Sequence, residues 1–419
     1  MLKQTRRKFM MTTAAVGTAA MMPRFALAAD PIVIGVPSAQ SGPVGIADHK
    51  DWQNGVELAI AEINAAGGVN GRMLEAKAVD IDILSPEGTI AAFQNLAESG
   101  VQAIASAFVL IPQPAMDTAA ASGVPYIHGN TQQASLDLYK SDPGKYRNIF
   151  QLDVAEAWYG SGLIKFCSDL KASGEWTPKN NKVHIVQEQI AYTQVISKAT
   201  QDAIAASSGE WELGAVTDIQ FPVQDWSPII AALKETDAGV IMIDHWVAAE
   251  LAAFAQSFSI DPVEGALVYL QYGPSQPEFL DLAQDAAEGF IWGTVYGVYA
   301  DDKGAAFRAK YRDTYPGTMG MVYTGGGYDA VHLLAQAWQG ADPSDFDAVG
   351  AAIRAIEYRG VNGFYKFLPE TQSGISYPNM TSDPEGGQAH LFFQVQDGEH
   401  RIIAPKPMNE SAFRPAPWM

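Results

Sequence analysis

One cysteine, Cys167, is all that 419 residues contain, so no disulfide can form within the chain and no thiolate cluster can hold a metal. It sits in Leu163-Ile-Lys-Phe-Cys-Ser-Asp-Leu170, an amphipathic helical pattern, and is expected to be a buried structural thiol. Basic residues are scarce: 27 Lys and Arg stand against 47 Asp and Glu, for a net charge of −20. That balance argues against nucleic acid as a partner, because phosphate binding needs a basic surface. The histidines (His49, His128, His184, His245, His332, His390 and His400) show no HExxH or other paired spacing. Also missing are a Gly-x-Ser-x-Gly elbow, a P-loop and a Gly-x-Gly-x-x-Gly after the first predicted strand. No enzymatic activity, metal or cofactor is therefore expected. No apolar run after the first 28 residues is long enough to cross a bilayer.

What is present begins with an export leader. Lys3, Arg6, Arg7 and Lys8 precede an apolar and small-residue run from Phe9 to Met22 and the small-x-small site Ala26-Leu27-Ala28. This is the layout of a signal peptide, residues 1–28, that export removes. Thr5-Arg6-Arg7-Lys8-Phe9-Met10 is similar to a twin-arginine signal; the alternative is a general-secretion leader with a chance arginine pair. The leader carries five cations and no acids, so the net −20 becomes −25 on the 391 residues that remain of 419 once 28 are removed. A chain of that length exceeds what one hydrophobic core serves, and two domains are expected.

Apolar strands alternate with amphipathic helical stretches throughout, the pattern of a parallel-sheet α/β architecture. Strands are expected at 31–37, 74–81, 102–106 and 124–128, with helices at 49–66, 86–99 and 112–122 between them. A second series has helices at 155–173, 192–207, 226–236 and 247–258 and strands at 182–187, 213–219, 238–243 and 266–270. A third part reads as a strand at 288–296, helices at 303–315, 325–339 and 345–357, and a tail alternating as antiparallel strands do. Helices without their own sheet must pack on one already built. The fold class expected is therefore two doubly wound parallel-sheet lobes joined by a three-segment hinge, with crossings near 153, 297 and 358. Lobe 1 would comprise 29–153 plus 297–357, and lobe 2 would comprise 154–296 plus 358–419. Pro405 to Pro417 reads as polar surface coil.

Ligands of doubly wound sheets bind beyond the carboxyl ends of the strands, where helix N-termini offer free N–H groups. The loops there carry Trp52, Phe108, Tyr192, Trp246 and Tyr272, with Asn130, Thr131, Asp244, His245 and Gln271 as polar neighbours. Such a set suits a planar or aliphatic ligand that needs apolar walls, or a quaternary ammonium in an aromatic cage. Leu110 lies in the same stretch as Phe108. Asp80 and Asp82 at a strand end read as loop or capping residues, and the acids at 301–302 and 342–347 as helix-start charges.

Ser41-Gly42-Pro43-Val44, the helix end Glu62 to Arg72, Gln113-Pro114-Ala115 and Gly326-Gly327-Tyr328-Asp329-Ala330 together resemble the leucine/isoleucine/valine-binding family of periplasmic proteins, over essentially the whole chain behind the leader. The resemblance implies a type I, two-lobed, hinged receptor in the periplasm, a monomer that passes a small-molecule ligand to the permease subunits of an ABC importer. Departures from the family pattern bear on the ligand. The loop that in amino-acid-binding relatives is Ser-rich and holds an α-carboxylate here reads Phe108-Val-Leu-Ile-Pro112, and the following His128-Gly-Asn-Thr-Gln132 still offers donors for an anion or amide. The family's second-lobe tyrosine is matched by Tyr192 and its next aromatic by Trp246, whereas the glutamate that receives an α-ammonium is replaced by Tyr272. A buried ammonium without a carboxylate is costly, so a standard branched-chain amino acid is not expected unless Asp244 supplies the charge; its other reading is a helix N-cap. The expected ligand is an aromatic or aliphatic carboxylate, an amide or a quaternary ammonium. Alternatives are a receptor for a membrane sensor, which the same fold serves, and an exported metalloenzyme.

Overall fold

The computed structural model describes residues 30–419, and the leader expected at 1–28 lies outside them. The first series runs β1 (Ile32–Ser38), α1 (Ile46–Ala65), β2 (Leu74–Asp80), α2 (Pro86–Glu98), β3 (Ala103–Ser106), α3 (Pro112–Ser122), β4 (Tyr126–His128), α4 (Gln133–Ser141) and β5 (Ile149–Gln151). Its strands form one parallel sheet in the order β2-β1-β3-β4-β5. Helices on both faces bury Ile32, Ile34 and Val36 of β1 almost completely, which is why that strand is apolar along its length. Ser85 caps α2 by accepting from Gly88 N at 3.1 Å, with Pro86 behind it in the first turn.

The second series continues with α5 (Ala157–Ser173), β6 (Lys182–Glu188), α6 (Ala191–Ala206), β7 (Glu212–Ile219), α7 (Ser227–Thr236), β8 (Val240–Asp244), α8 (Ala248–Ile260), β9 (Leu267–Gln271), α9 (Glu278–Ala283) and β10 (Ile291–Thr294). After α10 (Asp302–Thr314), α11 (Tyr323–Gly340) and α12 (Phe346–Arg354) come β11 (Glu357–Gly360), β12 (Gly363–Lys366), β13 (Ser376–Tyr377), β14 (Gln388–Ala389), β15 (Leu391–Gln396) and β16 (Glu399–Ala404). The second sheet has the order β16-β15-β10-β9-β8-β6-β7. Five of its strands are parallel, and β15 and β16 add an antiparallel edge through β10.

Helix α11 returns to the first sheet and lies along α1. The two backbones nearly touch: a Cβ added at Gly327 would collide with the Trp52 carbonyl, and one at Gly55 with the Thr324 carbonyl. Two residues later in α11, buried Asp329 accepts from Val361 N and Asn362 N at 2.9 Å each and from Tyr365 Oη at 2.8 Å. This ties the β11–β12 hairpin to the helix. The glycines and aspartate of the 326–330 motif are thus structural. Asp301 and Asp345 cap α10 and α12, and Asp80 holds Gln40 N and Ser41 Oγ at 2.8 Å each.

Three local expectations are corrected. The chain does not leave the first sheet near 358: the β11–β12 hairpin is held to α11 through Asp329, and Gln372 O accepts from Gln151 N at 2.9 Å and Asp153 O from Gly374 N at 3.0 Å, so residues 372–374 lie beside β5. Helix α4 and strand β5 were not anticipated, because neither is longer than nine residues. The coil from 405 is not wholly polar surface, since Phe413, Ala416 and Trp418 are buried and Trp418 Nε1 donates to Ala266 O at 2.8 Å.

Gly327→Ala should destabilise the protein by about 1–3 kcal/mol, because the added methyl forces α1 and α11 apart. Gly340→Ala, at the end of the same helix with nothing within 4 Å of its Cβ position, should be neutral or stabilising by up to about 1 kcal/mol. Paired urea melts check both; equal behaviour of the two variants would contradict the close crossing.

Candidate functional site

The carboxyl ends of the two sheets face a common cleft whose walls are drawn together, leaving about 40 Å³ of free space, well below the ~300–1,000 Å³ typical of open small-molecule sites. A larger groove of about 320 Å³ runs along α5 and the tail, past Lys165, Asp169 and Lys406. It is remote from the strand ends where doubly wound sheets place ligands, so the cleft is the better candidate.

Half of the residues that line the cleft are aromatic. Phe108 comes from the β3–α3 loop and meets Trp246, from the β8–α8 loop, edge to face with centroids 6.2 Å apart. Tyr323, the first residue of α11, lies 5.5 Å from Phe108 and 6.3 Å from Tyr272. Tyr192 stands at the start of α6 and receives a hydrogen bond from Gln271 Nε2 at 3.3 Å. Tyr159 of α5 bonds Thr294 Oγ1 at 3.2 Å, and Ile190 and Leu110 complete the apolar lining. Each ring that contacts a cation in such a wall contributes ~0.5–2 kcal/mol.

Asp48, in the first turn of α1, reaches across the cleft. Its carboxylate accepts from Tyr272 Oη at 2.8 Å and from Gln276 Nε2 at 2.7 Å, both from the segment after β9. These bonds join a helix packed on the first sheet to the loop that ends a strand of the second. Burial pushes the Asp48 carboxyl up to about 7, partly offset by the two bonds it accepts. Tyr272 has φ 54° and Thr131 φ 52°, a left-handed backbone that costs non-glycine residues ~1–3 kcal/mol and that concentrates at functional sites. In Tyr272 it turns the ring toward Asp48.

Seven of the eight residues singled out from sequence meet in this cleft: Phe108, Leu110, Asn130, Thr131, Tyr192, Trp246 and Tyr272. Asp244 does not. It is fully buried behind the wall, with neither carboxylate oxygen hydrogen-bonded and its pKa raised by burial and by nearby Glu188. The N-cap reading fails as well, because Val247 occupies that position of α8. Trp52 is core, donating to Ala105 O at 3.2 Å, and His245 lies between Glu188 at 2.8 Å and Glu250 at 3.0 Å. The donors expected of Asn130 and Thr131 are engaged within the chain: Thr131 N and Oγ1 both donate to Asp153, and Asn130 Nδ2 to Ser135. Sequence reasoning missed Asp48, Tyr159 and Tyr323 as lining residues. Asp48 reads as an ordinary first-turn acid, and Tyr323 lies some two hundred residues beyond the loops it faces.

The sequence matches the family described as periplasmic binding protein over residues 31–382. The chain belongs to the periplasmic binding protein family. This binding protein is 24% identical over 381 residues to the leucine-, isoleucine-, valine-, threonine- and alanine-binding protein of Pseudomonas aeruginosa, covering 89% of this chain and 91% of the relative. A solved structure from Silicibacter pomeroyi, provisionally described as a branched-chain amino acid ABC transporter, is 33% identical with a TM-score of 0.85, covering 93% of this chain and all of the other. A branched-chain amino acid transporter substrate-binding protein of Streptococcus pneumoniae, solved with isoleucine, has a TM-score of 0.73 at 19% identity, covering 90% and 100%. The fold is that of the type I, two-lobed, Leu/Ile/Val-binding-like members, which are binding proteins and not enzymes.

Acids without cationic partners give this binding protein a predictable pH response. Burial holds Asp48, Asp51, Asp153 and Glu156 up to about 7, 8, 7 and 7. A carboxyl with a raised folded pKa contributes stability at low pH and loses it as pH rises through the folded value. Burial drives His49 down to about 4 and His128, His390 and His400 to about 3, so these oppose the trend only below about 6.5, the usual imidazole value. The melting temperature of the ligand-free protein should therefore fall between pH 6.5 and 8.5, and Asp48→Asn should flatten the slope. A wild-type profile that rises across this window would contradict the burial of these carboxyls.

Proposed function

We propose that this chain is the periplasmic receptor of an ABC importer, binding a small organic molecule between its lobes and passing it to permease subunits in the membrane. The carrying observation is a cleft at the carboxyl ends of both sheets, walled by side chains from each. A ligand that touches Phe108 and Tyr323 on one side and Tyr192 and Trp246 on the other favours the closed arrangement over an open one, as differential affinity requires. The Asp48 bonds to Tyr272 and Gln276 add to that closure. The first lobe takes in residues 30–153 and, given that residues 372–374 lie beside β5, 297–374; the second takes in 154–296 and the remaining tail. The protein works as a monomer and leaves the cytoplasm through a twin-arginine leader.

The cargo is not a standard branched-chain amino acid. Tyr272 stands where the family has an acid and Asp244 lies outside the cleft; Asp48 lines it, engaged by Tyr272 and Gln276, but the loop at 108–112 offers no hydroxyl to an α-carboxylate. A thermal-shift panel of amino acids, aromatic and aliphatic carboxylates, amides and organic cations identifies the ligand class, and loss of uptake of the best binder on gene deletion tests the importer role. Uptake unchanged by deletion, with a sensing response lost instead, would replace transport by signalling. Tight leucine binding would refute the reading of Tyr272.

Trp246→Ala and Tyr192→Ala should each weaken the panel's best binder by about tenfold to a hundredfold and remove its thermal shift, while the ligand-free melt stays cooperative. Unaltered binding by both variants would place the site elsewhere.

A further inference from the structure

We propose that the cleft selects a small organic ammonium ion that carries N–H donors, and discriminates against free carboxylates. The proposal deepens the importer-receptor reading and rests on it.

A ligand anion would need donors at the first-sheet loops, and several of these are engaged by the chain's own acceptors. Val109 N donates to Asn130 Oδ1 at 2.9 Å, Thr131 N to Asp153 Oδ1 at 3.2 Å and Gln133 N to Glu156 Oε2 at 2.5 Å. The place where a carboxylate would sit on a helix N-terminus is served by the protein's own carboxyls. What remains open is an acceptor. Gln132 Nε2 donates to the carbonyls of Val109 and Leu110 at 3.2 and 3.4 Å, which leaves Oε1 without a partner in a side chain only 7% exposed that lines the cleft. A buried acceptor left unpaired is costly, and an N–H group on the ligand would satisfy it.

Charge points the same way. Asp48 lines the cleft, and Asp153, Glu156 and Asp244 are buried close behind its walls. Among the described residues none of the four is in a salt bridge, and the lining holds no Lys, Arg or His. His49, stacked on Phe108 at 4.8 Å, and His128 are kept neutral by burial. Burial keeps these carboxyls partly protonated near neutral pH, and a cation bound beside them favours their ionised form. The rings supply negative faces for that cation and apolar surface for its body. A quaternary ammonium would use the rings but leave Gln132 Oε1 unpaired, and a zwitterion would bring a carboxylate to a lining that holds no Lys, Arg or His.

Calorimetry on the full chain behind the leader tests this, with phenethylamine and isopentylamine as probes beside their trimethylammonium counterparts and the matching carboxylates, amides and amino acids. Each amine should bind at least about a hundredfold more tightly than its matching carboxylate. Gln132→Leu should weaken the amine by about tenfold or more, and Asp48→Asn should weaken the amine more than the matching amide. A carboxylate or amino acid binding as tightly as the amine overturns the proposal, as does a trimethylammonium compound binding more tightly than the amine, or Gln132→Leu leaving the amine unaffected. If a neutral or anionic probe binds instead, the charge assignment falls and the receptor reading stands. If no probe binds, both fall.

Discussion

The close approach of α1 and α11 is the constraint on which the rest of the molecule hangs. Gly55 and Gly327 let two backbones meet at a distance that no side chain permits. The first turn of one helix carries Asp48 and the first residue of the other is Tyr323, so the crossing fixes both cleft groups relative to each other. The same helix, through Asp329, holds the β11–β12 hairpin. Tyr365 of that hairpin also bonds Tyr296 at 3.2 Å, next to the segment that leads out of β10. A backbone contact just behind the cleft wall therefore sets the cleft's shape on one side and guides the connection between the sheets.

The cleft's electrostatics follow from a second choice, the use of internal acids to satisfy backbone donors. Asp153 and Glu156 occupy N–H groups at the start of α4 that in a simpler site would be open to solvent or ligand. Once those donors are engaged, the unpaired Gln132 Oε1 stands among the cleft's polar groups. Aromatic rings provide most of the rest of the contact area, with their polar tips at the edges.

Much of this was legible in the sequence. Strand β1 was expected at 31–37 and lies at 32–38, because a run of β-branched residues bounded by turn signals has few other solutions. The rule that ligands sit beyond strand ends brought Phe108, Tyr192, Trp246 and Tyr272 together before any coordinates did. The same rule fails for Asp244: the last residue of β8 points back among buried groups, and position in a loop does not determine the side on which a carboxylate lies. Asp48 and Tyr323 were invisible for another reason, since their place in the cleft depends on helix packing between distant segments. The donors of residues 130–131 were legible as donors, but nothing local showed that Asp153 would engage them.

The C-terminal coil has a further consequence. Strand β15 lies between β10 and β16 in the second sheet, and Gly265 N donates to Trp418 O at 2.8 Å while Trp418 itself fills a pocket between Phe258 and Phe290. Trp418 thus closes a layer whose first strand begins at Lys182. Replacing its indole by a small side chain would uncover Phe258 and Phe290 together and loosen the helix that carries one of them from the strand that follows the other.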